Sequence, residues 1–224
     1  MLDTQFPRPL GDVGNRNTWP FPVCYERVSG ASPDRVVSER GTPRLDAFVE
    51  AARRLVARGA IGISSSCGFL VRYQRSLADV LPVPVAISSL IQVPWVALTL
   101  PSGRRVGVIT FDSASLGAVE LAQAGAPIDT PCEGLPRGGA LHDLVLRNQQ
   151  PIDRQAISRE LIGCGRALCR RHPEVGAIVL ECTNLPPYRR ELATALGIPV
   201  FDTYTLLQWF WQGLSPRRGD LSHS

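Results

Sequence analysis

The sequence predicts an α/β protein built on parallel strands and arranged as two pseudo-symmetric halves. Two observations predict this. A strand, loop and helix unit occurs twice in the 224 residues, and elsewhere short apolar runs alternate with segments of helical periodicity. Runs such as Ile61–Ile63 and Ile178–Leu180 are short and continuously apolar, as expected of central strands covered on both faces.

The repeated unit comes first because the rest follows from it. The stretch from Gly59 to Leu70 (GAIGISSSCGFL) returns from Gly176 to Leu185 (GAIVLECTNL). Counting onward from Cys67 and Cys182, Leu70 matches Leu185, Tyr73 matches Tyr188, Arg75 matches Arg190, and Leu77 matches Leu192. Leu81, Pro84 and Val85 then match Leu196, Pro199 and Val200 without a gap. Each copy reads as an apolar strand, a polar loop with a thiol, a helix and a second strand opened by Pro.

The remaining elements follow in chain order. The first 35 residues are rich in Pro and Gly; Val23 to Val28 is expected to be a strand, and Gly11 to Thr18 a polar loop. Thr42 and Pro43 suit the start of a helix whose apolar face is Leu45, Phe48, Val49, Ala52, Leu55 and Val56, and Gly59 ends it. After the first cysteine unit come a strand at Val83 to Ile87 and a helix at Leu90 to Leu98. Arg105 to Thr110 is a buried strand that opens the second half. Further helices are expected at Ser113 to Ala124, Leu141 to Arg147, Asp153 to Arg171 and Thr203 to Leu214, with a short strand between Pro127 and Gly139 and another at Ile198 to Phe201. Trp209, Phe210 and Trp211 are expected as packing anchors, and the polar tail from Ser215 as frayed. The expected division is 1–98 plus 203–224 in one domain and 99–202 in the other.

Composition excludes several function classes. All 24 basic residues counted as Lys plus Arg are Arg, which removes Schiff-base and Walker-type lysine chemistry. The net charge of +4 is scattered in Arg pairs without a basic stripe, against a nucleic-acid partner. No apolar run approaches a membrane span and no signal-peptide layout opens the chain, so a cytoplasmic location and no membrane partner are expected. The six cysteines include no Cys-x-x-Cys pair, and His142, His172 and His223 lie away from them; neither a metal nor another cofactor is expected. Cys24, Cys132, Cys164 and Cys169 read as packing residues. His142 and His172 read as surface or loop residues, and a homo-oligomer stays open.

Cys67 and Cys182 read differently, because both follow a strand at the carboxyl end of a presumed parallel sheet, where such folds bind ligands. Each precedes a helix, whose first N–H groups favour a thiolate. Ser64, Ser65, Ser66, Thr183 and Asn184 surround them with neutral donors suited to a carboxylate or an enediolate. Two facing thiols could exchange a proton on opposite faces of one carbon. Asp12, Asn15 and Asp112 are balanced between site residues and turn formers, and Thr110 and Ser113 are favoured as substrate contacts.

These loops, with Leu2-Asp3-Thr4-Gln5-Phe6-Pro7-Arg8 and Gly11-Asp12-Val13-Gly14-Asn15, resemble the cofactor-independent aspartate/glutamate racemase superfamily, which includes hydantoin racemases, arylmalonate decarboxylases and maleate isomerases. The resemblance covers nearly the whole chain. It implies two α/β domains with parallel central sheets and the active site in the cleft between them. It further implies Cys67 and Cys182 as the acid/base pair, Ser65, Ser66, Gly68, Phe69, Thr110, Thr183, Asn184, Asn15 and Asp3 around the substrate, and no cofactor. Asp3-Thr4 stands where glutamate racemases have an Asp-Ser pair after the first strand, so that strand is expected to be cut short here. Asn184 replaces the His of the second loop in glutamate racemases, with Glu181 as its substitute. The expected activity is racemisation or epimerisation of an amino acid. The alternatives are a decarboxylase, hydantoin racemase or maleate-type isomerase of the same fold, or a non-catalytic binder of a small carboxylate.

Overall fold

Four apolar runs of the second half hydrogen bond into one parallel sheet, and this sheet sets the position of the second cysteine. The computed structural model describes residues 1–38, 45–148 and 151–214. Thr42, Pro43, His223 and the tail from Ser215 lie outside the described residues.

The first half contains α1 (Pro33–Ser38) and α2 (Leu45–Ala57), which buries Phe48, Ala51 and Ala52 as its apolar periodicity requires. A 3-10 turn at Gly68–Tyr73 leads into α3 (Gln74–Val80), and another at Ser89–Gln92 leads into α4 (Val93–Thr99). The second half runs β1 (Arg105–Thr110), α5 (Ala118–Gln123), β2 (Cys132–Gly134), α6 (Ala140–Arg147), α7 (Arg154–Arg171) and β3 (Val175–Leu180). After a 3-10 turn at Pro186–Tyr188 come α8 (Arg189–Leu196), β4 (Val200–Phe201) and α9 (Thr203–Leu214). No described helix is long and apolar enough to cross a membrane.

The sheet order is β2-β1-β3-β4, all parallel, with Val108 opposite both Cys132 and Val179, and Ile178 opposite Val200. Val108, Ile109, Ile178, Val179 and Leu180 are fully buried, as central strands with both faces covered must be. Helix α7 begins where Asp153 caps it, the carboxylate accepting from Ala156 N at 2.9 Å. Asp153→Ala removes that bond and is expected to cost about 1 kcal/mol, read as a lower urea midpoint at unchanged slope. At Gly165, α7 approaches α8 so closely that a methyl group would overlap Leu192 and Leu196.

The first half departs from expectation. Val23 to Val28 forms no strand, and the runs at Ile61 and Val83 meet only in one parallel bridge between Ile63 and Val85. Pro20, Pro22, Pro82 and Pro84 supply no N–H to a ladder, which limits regular pairing in these segments. Extended backbone is instead held by separate bonds: Val28 N to Met1 O at 2.9 Å and Asp3 N to Ala31 O at 3.0 Å. The helix expected from Ser113 begins later, at Ala118, after Asp112 turns the backbone by accepting from Ala114 N and Ser115 Oγ.

The repeat is visible in the bonding. Ile63 N donates to Pro84 O at 3.0 Å, and its counterpart Ile178 N to Pro199 O at 2.9 Å; Leu70 N donates to Cys67 O at 3.2 Å, and Leu185 N to Cys182 O at 3.1 Å. Matched side chains share their burial, with Leu70, Tyr73 and Leu77 buried in one copy and Leu185, Tyr188 and Leu192 in the other. Of the three aromatic anchors expected on α9, Phe210 packs over Gly62 and Trp211 stacks on Phe21 at 4.9 Å. Trp209 remains half exposed against Trp95.

Candidate functional site

The two cysteine loops meet at the carboxyl ends of the strands and are locked together by hydrogen bonds. Thr183 Oγ1 donates to Ser66 O at 2.7 Å, Ser89 Oγ to Leu180 O at 2.6 Å, and Leu2 N to Ser66 Oγ at 3.0 Å. Between the loops is a small cavity of about 30 Å³. Ser66, Cys67, Gly68 and Phe69 line it from one loop and Glu181, Cys182, Thr183 and Asn184 from the other. Leu2, Thr4, Phe6, Phe111 and Val145 complete an apolar and aromatic wall.

Both thiols are buried. Burial and then the nearby Glu181 carboxyl push Cys67 up to about 12, against the pull of the Phe69 and Leu70 N–H groups and of Arg72. Cys182 is raised well above an ordinary thiol by the same two causes, despite the Asn184 N–H. The charge of Cys67 raises it further, so the two sulfurs share one electrostatic environment. Its thiol donates to Asn184 Oδ1 at 3.7 Å, and Asn184 Nδ2 donates to Asp12 Oδ2 at 2.8 Å. Asp12 in turn accepts from Arg8 Nη1 at 3.0 Å and Gly14 N at 2.7 Å, while Arg8 Nη2 donates to Thr4 Oγ1 at 2.7 Å.

Glu181 is 1% exposed, its carboxylate accepting from Thr110 Oγ1 at 2.9 Å and Phe111 N at 3.2 Å. Burial first, and the charge of Asp112 as well, push it up to about 7.

Of the residues expected around the substrate, Ser66, Gly68, Phe69, Thr183 and Asn184 line the cavity with Cys67 and Cys182. Thr110 is buried behind them and reaches the site through Glu181. The structure does not bring Ser65, Asn15 or Asp3 to this cavity. Ser65 Oγ spends its bonds on Cys67 O and Ile87 O, shaping the loop. Asn15 caps a 3-10 turn, Oδ1 accepting from Asn17 N and Nδ2 donating to Arg8 O. Asp3 turns outward to Gly30 N and Arg27 because its backbone bond to Ala31 points the side chain that way. His142 is buried rather than superficial, stacked on Phe111 at 4.2 Å.

Sequence reasoning missed Arg8 and Ser89, and left Asp12 balanced. Opposite charges four residues apart at Arg8 and Asp12, in a loop otherwise built of Pro and Gly, were the available signal. A larger cavity of about 450 Å³ lies behind the first loop, walled by Trp19, Phe21, Phe210 and Trp211. It holds neither Cys67 nor Cys182, so the smaller cavity is the candidate site. Among the described residues no group of three or more His, Cys, Asp or Glu is placed to hold a metal.

Comparison of the whole structure with solved ones finds the same architecture in three enzymes. A glutamate racemase from Bacillus anthracis has a TM-score of 0.54 at 14% identity, covering 82% of this chain and 70% of that one. Unliganded arylmalonate decarboxylase has 0.53 at 17%, covering 81% and 80%, and an allantoin racemase from Pseudomonas fluorescens has 0.53 at 17%, covering 76% and 69%. The chain has the aspartate/glutamate racemase fold.

Within that fold, sequence relatives point to a different reaction from the one expected. A dimethylsulfoniopropionate lyase from Durusdinium sp. clade D is 26% identical over 226 residues, covering 97% of this chain and 75% of the relative. Dimethylsulfoniopropionate lyase 5 from Emiliania huxleyi is 29% identical over 224 residues, covering 93% of this chain and 43% of the relative. The chain thus spans from under half to three quarters of these relatives. No family model matches it. The expectation of an amino-acid racemase, an isomerase, with its same-fold and binding-protein alternatives, is corrected by these relatives, which are lyases. The physical reason is that one fold hosts several reactions, so a resemblance of fold does not fix the chemistry.

Proposed function

We propose that the chain is a carbon–sulfur lyase acting on dimethylsulfoniopropionate or a close β-sulfonio carboxylate. The observation that carries this reading is the set of lyase relatives aligned over more than nine tenths of the chain. The fold and the two buried thiols support it without choosing among reactions.

The chemistry requires one base. A thiolate removes a proton from the carbon next to the carboxylate, that C–H electron pair becomes the C=C bond, and the C–S bond breaks with its pair leaving on sulfur. Dimethyl sulfide and acrylate result, and the proton remains on the thiol. The carbon acid is weak, so the site must hold charge developing on the carboxylate. Ser66 Oγ already accepts from Leu2 N, and Thr4 Oγ1 from Arg8, so each hydroxyl has its own O–H to donate. These two, with the Asn184 amide, are the carboxylate donors of the reading. Leu2, Phe6, Phe111 and Val145 suit the S-methyl groups, and aromatic faces attract a sulfonium. About 30 Å³ accommodates little more than a water, so substrate binding widens the cleft.

The test is headspace measurement of dimethyl sulfide over purified protein in millimolar dimethylsulfoniopropionate. Dimethyl sulfide and acrylate should appear in equal amounts as substrate disappears. No release above buffer from folded protein would remove the lyase reading.

A further inference from the structure

Beside the two thiols, lining the same cavity, sits a carboxyl group that the elimination itself does not use. Glu181 immediately precedes Cys182, yet its side chain reaches away from its own loop, to the end of β1 at Thr110 Oγ1 and Phe111 N. It also packs on the first cysteine loop. A methyl group at Gly68 would overlap both the carboxyl Oε1 and the main-chain carbonyl of Glu181, so Gly68 is the residue that lets Cys67 and Glu181 approach. Ser89 Oγ, donating to Leu180 O and Glu181 O, fixes the backbone from behind. These contacts hold the buried carboxyl against both cysteine loops.

We propose that Glu181 is a positioning residue that governs the charge state of the thiol pair, holding both thiols protonated while it is ionised and permitting a thiolate when it is neutral. This rests on the reading that a thiol is the base, but it concerns the thiols alone and is testable without turnover. A buried negative charge beside a sulfur disfavours a second one, and burial weakens the screening between them. The charges facing the group are few. Asp112 acts on Glu181, Arg72 on Cys67 and Asp12 on Cys182, and each thiol is also raised by Glu181 itself. Burial pushes Glu181 up to about 7, which brings the gain or loss of its proton into the neutral range. A cationic substrate in the cleft would be attracted by the ionised form, and proton transfer between thiol and carboxylate would yield the thiolate beside a neutral acid with no net change in charge.

The experiment is site-resolved alkylation by iodoacetamide across pH 6 to 10, with modification of Cys67 and Cys182 read by peptide mass spectrometry on the intact, folded protein. In Glu181→Gln the apparent titration of both cysteines should move to lower pH, and alkylation at pH 8 should rise by about tenfold for each unit by which a thiol's pKa falls. Cys24, which is exposed and does not line this cavity, serves as the internal reference and should not change. Should Glu181→Gln fail to fold, Thr110→Val removes one donor to the carboxylate and keeps it neutral to higher pH, so alkylation should again rise. Superimposable alkylation profiles in parent and variant would overturn the proposal whether or not the protein is a lyase. A shifted profile in a protein that releases no dimethyl sulfide would leave it standing and remove the lyase reading alone.

Discussion

Replacing either Cys67 or Cys182 with alanine is expected to lower kcat/KM for dimethyl sulfide release by about 10² to 10⁴, the usual contribution of a positioned acid or base. Both sulfurs line the same closed cavity and feel the same carboxyl, so neither is a bystander of the other. The reaction needs only one base, and the variants should therefore differ. The alanine that removes the base should abolish exchange of the α-proton with deuterated solvent. The other should retain slow exchange while losing elimination, because what remains is proton removal without full support of the developing charge. Cys24→Ala, at an exposed site outside the lining of this cavity, should behave as the parent. Parent rates in both cavity variants would dismiss the thiols as the chemical groups. Thermal unfolding of each variant separates lost chemistry from lost fold.

Gly68→Ala is expected to be the most disruptive glycine-to-alanine change among the described residues, at about 3 kcal/mol. The added methyl group would overlap the Glu181 carboxyl and its carbonyl, and the carbonyl belongs to backbone that Ser89 holds. Relief requires the two cysteine loops to separate, so activity and stability should fall together. Gly163→Ala in α7 is the matching control. A methyl group there meets no atom within 4 Å, and exchanging Gly for Ala inside a helix should raise stability by about 0.5–1 kcal/mol. Urea midpoints of the two variants measured side by side should move in opposite directions. A Gly68→Ala protein as stable as its parent would show that the loops do not hold Glu181 as tightly as the packing indicates.

Much of the second half was legible because its signals are local. β1 covers Arg105–Thr110 as its apolar run indicates, and α7 begins one residue after the capping Asp153. The first half was less legible. Val23 to Val28 alternates like a strand, but prolines around it limit pairing, and the bonds that hold the segment come from Met1 and Asp3, far away in sequence. In the site, Asp3 was drawn in by resemblance and Asn15 was balanced between contact and turn former, and local backbone bonds turn both elsewhere. Arg8 and Ser89 went unnoticed because each reaches the site through a partner distant in the chain or through another side chain.

The amino-acid sequence by itself determined the repeat, the α/β class and the pairing of Cys67 with Cys182, since all three are properties of order and spacing along one chain. The tertiary structure alone decided that Glu181 packs its carboxyl against the loops that carry those thiols. Its carboxyl is placed by Thr110, Phe111 and Gly68, from two loops separated from it by roughly 70 and 110 residues. A charge is made consequential by what surrounds it in space, and only folding brings Asp112 and both cysteine loops around that one buried carboxyl.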